Sequence, residues 1–519
     1  VERLTLRDYQ VDAVRILKDG GINASGLGAG KTLMSVMAAA TLKLGRKPRI
    51  LVICPPTVTG QWKGTFELQF PSLRDGGVRI LGTHRKDLEG WAELTARKKT
   101  NGVYIIGWNA MYGGVPDGVR RDASRGQNAQ RKNPKVTQAS VKLAIKQGTV
   151  PPWTRAGTFD LVIIDEAHRA LNTSGVPWNV LKVIKADRKL ALSGTPAGSK
   201  PENLWGLLNL VWPREYSNRW DWINRYFHVT QDQVSDTRTI TVIGEEIIPG
   251  KLWDDIPAVV RVKTEDVVDM PPVIDRQCVI PMAPEQARQY REFEEQCLAW
   301  LGDQPVGVSL DIEKRSRLRQ IALGTALGAG YKLVDRKIMG IDPETGIISA
   351  RKEKVEVPDV QYDPDAEQPK IDAIKEILAD LPDGEPLLVW TNSATWARMA
   401  AEKLGSKAVS WSMKTTKARR EKIKATFGRE GGPRILVAQL QSLAEGVDWL
   451  KDVCRCEVIA SQTEDPVINE QAEGRLYRPG QKHSVQRWRL ISEDTIDDEV
   501  HQKDIEKRVR LAKTYKDAA

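Results

Sequence analysis

SGLGAGKT, Ser25–Thr32, is the stretch from which the fold can be read. It follows a short apolar segment and precedes a run of helical periodicity, Leu33–Leu44. Gly26, Gly28 and Gly30 let successive backbone N–H groups curl around phosphate oxygens. Ser25 and Ala29 complete the loop, and the helix N-terminus adds a favourable dipole. Lys31 is placed for β- and γ-phosphates, and Thr32 for a hydroxyl contact to Mg2+. The strict pattern has glycine where Ser25 stands, so this is a relaxed P-loop. The other reading of the string is a glycine-rich turn capping a helix.

Working outward, FDLVIIDEAH (Phe159–His168) places an apolar run, Leu161–Ile164, before Asp165, Glu166 and His168. Adjacent carboxylates after a buried strand are costly unless a cation or water needs them. Asp165 suits Mg2+, and Glu166 is placed to orient and deprotonate an attacking water. The other reading is an exposed acidic turn. Further along, QAEGRLYRPGQ (Gln471–Gln481) carries Arg475 and Arg478, which share a face if they lie on one helix. Paired guanidinium groups suit a γ-phosphate whose charge is redistributing, although a solvated basic face has the same spacing.

Other apolar runs are Ile50–Cys54, Val103–Ile106 and Lys189–Leu192, then Leu387–Trp390, Arg434–Ala438, Glu457–Ala460 and Gln486–Ile491. Helical patterns such as Trp396–Leu404 and Ala418–Phe427 lie between them. Strand–helix alternation, twice over, predicts two α/β units with buried parallel sheets and ligands beyond the C-terminal strand ends. The expected division is 1–217, a middle stretch 218–369 and 370–519. In the middle stretch, 237–252 alternates like a β-ribbon, Glu285–Leu301 reads as a helix and Val355–Lys370 as a connector.

The 519 residues include 78 Lys and Arg against 68 Asp and Glu, a net charge of +10, which leans mildly toward polyanions. Eight cations but only two acids fall between Asp117 and Val150. That insertion is expected either to clamp a nucleic acid or to be a solvated loop. No apolar run is long enough to span a membrane. VERLTLRDYQ, at the start, has no signal-sequence core, and five scattered cysteines fit a reducing cytoplasm. Cys454 and Cys456 read as core residues on one strand face. Each of the sixteen tryptophans reads first as core.

The ordered series LRDYQ, SGLGAGKT, LVICPPTVTGQW, DEAH, LSGTP, LLVWTN, AQLQSLAEGVDWL and QAEGRLYRPGQ resembles the motifs of superfamily-two helicases. TPAGSKPENLWGLLNLVWP and YRPGQKHSVQRWRLISEDTIDDEV narrow the resemblance to the Swi/Snf branch of DNA-dependent ATPases. It implies an α/β fold of two RecA-like lobes with helical and β insertions between them, ATP and Mg2+ as cofactors, and double-stranded DNA as partner. Gln10 would read adenine. His168, Ser193 and Thr195 would couple the nucleotide to DNA, and Gln471, Arg475 and Arg478 would complete the γ-phosphate site. Guided by the same resemblance, Thr57, Gln61, Lys63, Thr391, Asn392 and Gln439 are expected DNA contacts. The expected protein is a monomeric, cytoplasmic duplex translocase from a bacterium or phage-infected cell. A strand-separating helicase or junction remodeller is the first alternative, and a nucleotide-gated subunit without turnover the second. Departures from the branch are Ser25, Ala170-Leu171-Asn172, Ala444-Glu445 and Glu464-Asp465-Pro466.

Overall fold

The computed structural model describes residues 4–26, 28–42, 48–73, 77–82, 102–113, 158–173, 175–198, 200–235, 238–296, 298–301, 304–307, 311–341, 348–443 and 448–514. The basic insertion 117–150 and Ala444-Glu445 lie outside the described residues. The chain divides into two compact units, 1–269 with 507–519, and 270–506. The division falls inside the stretch 218–369 that the sequence sets apart.

In the first unit, helix α1 (Asp8–Leu17), strand β1 (Gly21–Asn23), helix α2 (Lys31–Ala40), strand β2 (Arg49–Cys54) and helix α3 (Thr59–Gln69) lead into β3 (Val78–Leu81). Strands β4 (Gly102–Gly107), β5 (Phe159–Ile164) and β6 (Ala186–Leu192) follow. A ribbon of β7 (Phe227–Ser235) and β8 (Arg238–Glu246) precedes β9 (Val259–Val260). The sheet order is β3-β4-β2-β5-β6-β1-β9, and its pairings are parallel. Leu51 and Ile53 of β2, with Val162 and Ile164 of β5, enter one core; Ile50, Val52, Leu161 and Ile163 enter another. Both faces are covered, which is why these strands read as continuous apolar runs.

The second unit opens with β10 (Val273–Ile280), then β11 (Leu298–Leu301), β12 (Gln304–Gly307), and the long strands β13 (Ala326–Ile341) and β14 (Ile348–Tyr362). β15 (Leu387–Thr391), α4 (Ala394–Lys403), β16 (Ala408–Trp411), α5 (Lys417–Thr426) and β17 (Ile435–Gln439) come next. β18 (Cys456–Ile459), α6 (Pro466–Glu473) and β19 (Val485–Ser492) complete it. Its main sheet is β10-β19-β18-β15-β17-β16, again with parallel pairings.

Three local expectations need correction. The helix expected over Glu285–Leu301 is Pro284–Gln296, and Leu298–Leu301 instead pairs antiparallel with Gln304–Gly307. The expected connector Val355–Lys370 begins as strand β14, where Val355 and Val357 pair with Val334 and Lys332. Pro358 is tolerated because, among the described residues, this ladder has two strands, so its missing N–H breaks no central pairing. Cys454 and Cys456 are both buried, but in different cores: β18 starts at Cys456, and Cys454 precedes it.

Candidate nucleotide and nucleic-acid site

Strands β5, β6 and β1 are neighbours, so their C-terminal ends deliver three segments to one sheet edge. The first is the loop Ser25–Thr32. Gly28 and Gly30 have φ of 84° and 85°, a left-handed conformation that costs little without a Cβ. A side chain at Gly30 would also run into Gln10 Nε2. Lys31 Nζ lies under the loop, donating to Ser25 O at 2.7 Å and Gly26 O at 2.8 Å. Gly26 N is tied to Val262 O at 2.9 Å. Ser25 keeps the loop's course: its N–H donates to Asn23 Oδ1, while its buried hydroxyl has no hydrogen-bond partner among the described residues. Thr32 stands in the first turn of α2. Gln10 is turned onto the loop, donating from Nε2 to Ala29 O at 3.2 Å and accepting Arg7 N–H at 3.0 Å.

The second segment follows β5. Asp165 Oδ2 accepts Trp62 Nε1–H at 2.9 Å, and Oδ1 accepts the Glu166 amide at 3.0 Å. Burial and the Glu166 carboxylate push Asp165 up to about 6, against the opposing pull of the Trp62 N–H, Lys31 and the Glu166 amide. A carboxylate so placed gains from a dication. Hard oxygen donors, few in number, suit Mg2+ completed by phosphate and water rather than an all-protein cage. Among the described residues there is no group of three or more His, Cys, Asp and Glu able to hold a metal by themselves. Glu166 adopts φ 51°, a conformation that costs a non-glycine residue roughly 1–2 kcal/mol.

The third segment follows β6. His168 Nδ1 lies 3.3 Å from Glu166 Oε2 and 3.2 Å from Ser193 Oγ, and Ser193 Oγ accepts Thr195 N–H at 3.1 Å. Glu166, His168, Ser193 and Thr195, read separately from sequence, therefore form one polar chain.

In the second unit, α6 ends at Glu473, with Gly474 as its C-cap. Arg475 and Arg478 sit on the turn beyond it, not on a shared helix face as their spacing allows. The glycine at the cap and Pro479-Gly480 stop the helix there. Gln471 and Arg475 are buried, and Arg478 pairs with Asp448 at 2.8 Å. The departure Glu464-Asp465-Pro466 starts α6: Asp465 Oδ1 caps Val467 N–H at 3.0 Å, and Pro466 occupies the first turn, where no N–H is missed.

Of the expected DNA contacts, Thr57 and Gln61 are exposed, and Lys63 is paired with Glu67 at 3.7 Å. Thr391 is a correction. It is fully buried, lies 3.3 Å from Ser461 Oγ, and accepts Ser393 N–H, so it shapes the loop from inside. Asn392 and Gln439 line a cleft of about 800 Å³ at the ends of β15 to β17. Arg398, Lys414 and Arg419 are exposed around it, and none of its lining residues is acidic.

The sequence pattern of the SNF2-related domain matches residues 9–322, well over half of the chain. The chain belongs to the SNF2-related family. An uncharacterised ATP-dependent helicase of Mycoplasma pneumoniae is 22% identical over 521 residues, covering 98% of this chain and 42% of that protein. Mouse chromodomain-helicase-DNA-binding protein 1-like is 21% identical over 514 residues, covering 96% and 49%. This chain thus spans less than half the length of these two relatives. Among solved structures, the Sulfolobus solfataricus SWI2/SNF2 ATPase core in complex with dsDNA is 16% identical, with a TM-score of 0.37, covering 99% of this chain and 95% of that one.

In this SNF2-related chain, a buried ionic network lies behind α6 that no local sequence pattern marks. Glu457, fully buried on β18, accepts Arg487 Nε–H at 2.7 Å and Trp390 Nε1–H at 2.8 Å. Glu473, the last residue of α6, accepts Arg487 at 3.2 Å and Arg489 at 3.0 Å, and Arg489 also grips Asp275. Alternate positions on β19 thus hold the helix from which Arg475 emerges. Arg487→Met strands the Glu457 charge in the core, and breaking such a pair costs about 3–5 kcal/mol. Chemical denaturation of the variant is expected to show a loss of that order; a loss below about 1 kcal/mol would contradict the role given to the network.

Proposed function

We propose that the chain is the motor core of a DNA-dependent ATPase that hydrolyses ATP on double-stranded DNA and moves along it. The observation that carries the reading is the convergence, at one sheet edge, of the Ser25–Thr32 loop, Asp165 and Glu166, and the His168–Ser193 link. The loop amides and Lys31 would hold the triphosphate. Thr32 and Asp165 would hold Mg2+, which when bound neutralises phosphate charge. Glu166 accepts a proton from water, and His168, bonded toward both Glu166 and Ser193, ties that carboxylate to the segment after β6. Gln10 anchors the loop next to the place proposed for the base.

DNA recognition is proposed to be by phosphate and independent of sequence. Support comes from the exposed cations around the acid-free cleft and from relatives described as helicases. Arg398→Ala with Lys414→Ala is expected to weaken duplex binding and to reduce the slope of log affinity against log salt by about 2, near 0.9 for each phosphate no longer neutralised. A fluorescence-anisotropy titration at several salt concentrations checks this; an unchanged slope would remove the cleft from the DNA path. The β13–β14 ribbon, fifteen residue pairs long by register, favours strand separation as a second reading, because it supplies an element of wedge length. Strand displacement on forked against blunt duplex separates the two readings. A reducing cytoplasm and a monomeric chain belong to the same proposal.

A further inference from the structure

Gly28 and Gly30 suit glycine through their left-handed backbone, but Gly26 does not share that conformation. Its lack of a side chain answers to a neighbour instead. A Cβ at Gly26 would stand 2.7 Å from Thr264 Oγ1 and 3.3 Å from Thr264 N. Thr264 is buried and opens the helical turn Thr264–Val267, far along the chain from the loop. The close approach of that segment, rather than phosphate chemistry, is what keeps position 26 bare.

The approach is the end of a ladder. Strands β1 and β9 pair in parallel, and the amides of Ile22, Ala24 and Gly26 donate in turn to Ala258 O at 3.0 Å, Val260 O at 2.7 Å and Val262 O at 2.9 Å. The next carbonyl in that series, Thr264 O, accepts Val268 N–H at 3.0 Å within its own turn. The ladder therefore stops at Gly26, and there the loop leaves the sheet. Ser25 O and Gly26 O, on this pinned limb, are the two carbonyls that receive Lys31 Nζ. The course of the chain at Val262 and Thr264 thus sets where the lysine rests.

We propose that Thr264 is a positioning residue for the nucleotide site: its hydroxyl packs against Gly26 and fixes the limb of the loop that holds Lys31. This rests on the ATP-binding part of the function proposed above. The test is a double-mutant cycle, read by equilibrium binding of a fluorescent, non-hydrolysable ATP analogue and by steady-state hydrolysis. Gly26→Ala is expected to weaken analogue binding about tenfold, because a shift near 1 Å can cost up to about 100-fold. The effect is expected to fall on KM for ATP more than on kcat, as for a contact that serves ground and transition states alike. In the Thr264→Ala background Oγ1 is gone, and the cost of Gly26→Ala is expected to shrink to about twofold, the non-additivity of residues in contact. In the Thr264→Ser background Oγ1 remains, and so does the full cost. Thr264→Ala alone leaves the glycine untouched, so it reads the same contact should Gly26→Ala fail to fold; it is expected to weaken binding about threefold. The same cost of Gly26→Ala with and without Oγ1, wild-type affinity in Thr264→Ala, or a loss carried by kcat with KM unchanged would each overturn the proposal. A wild-type protein that binds no ATP analogue would instead remove the reading of the Ser25–Thr32 loop itself.

Discussion

Glu166→Gln is expected to leave ATP bound and to lower turnover by about 10²–10⁴-fold, the usual contribution of a positioned general base. Glutamine keeps the size of the side chain and the backbone at φ 51° but cannot accept a proton from water. The substitution leaves Asp165, Lys31 and the loop glycines in place, so nucleotide affinity should stay within a few-fold of wild type. Steady-state turnover and binding of a fluorescent ATP analogue, measured on the same preparation, check both halves. A variant retaining more than about a tenth of wild-type turnover would assign the base elsewhere.

The second large effect is at Arg475. Its guanidinium is buried on the turn after α6, and that helix is held at Glu473 by Arg487 and Arg489. The family resemblance gives it the γ-phosphate, where an arginine contributes about 10³–10⁵ in turnover. Arg475→Ala is expected to lower kcat within that range while KM for ATP moves little, because the interaction is realised mainly as charge redistributes. Arg478 is already paired with Asp448, so Arg478→Ala is expected to lower kcat less. The same kcat for Arg475→Ala and wild type, with an unchanged melting curve, would remove the residue from the reaction.

The strand runs legible in the sequence are those buried on both faces. Leu161–Ile164 and Leu387–Trp390 are apolar at every position because alternate side chains enter two cores. The P-loop and acidic box are legible for another reason: phosphate chemistry demands particular residues close together in the chain. What stays hidden depends on partners distant in sequence. Nothing local marks Trp62 as the partner of Asp165, or Arg487 and Arg489 as partners of Glu457, Glu473 and Asp275. Gln486–Ile491 reads as a buried strand, and its Arg487 and Arg489 are buried there against the carboxylates of Glu457 and Glu473. Thr391 is ambiguous for the same reason: a threonine at a strand end serves equally as a phosphate contact or an inner support for the next turn, and here it is the support.

The most direct test of a DNA-driven motor is the ATPase rate without nucleic acid and with single-stranded DNA, duplex DNA and duplex RNA, using Glu166→Gln as the blank. The account predicts strong stimulation by duplex DNA, lost in the variant. Stimulation by single strands or forks alone would move the chain to strand separation, and a rate indifferent to every polymer would contradict the account.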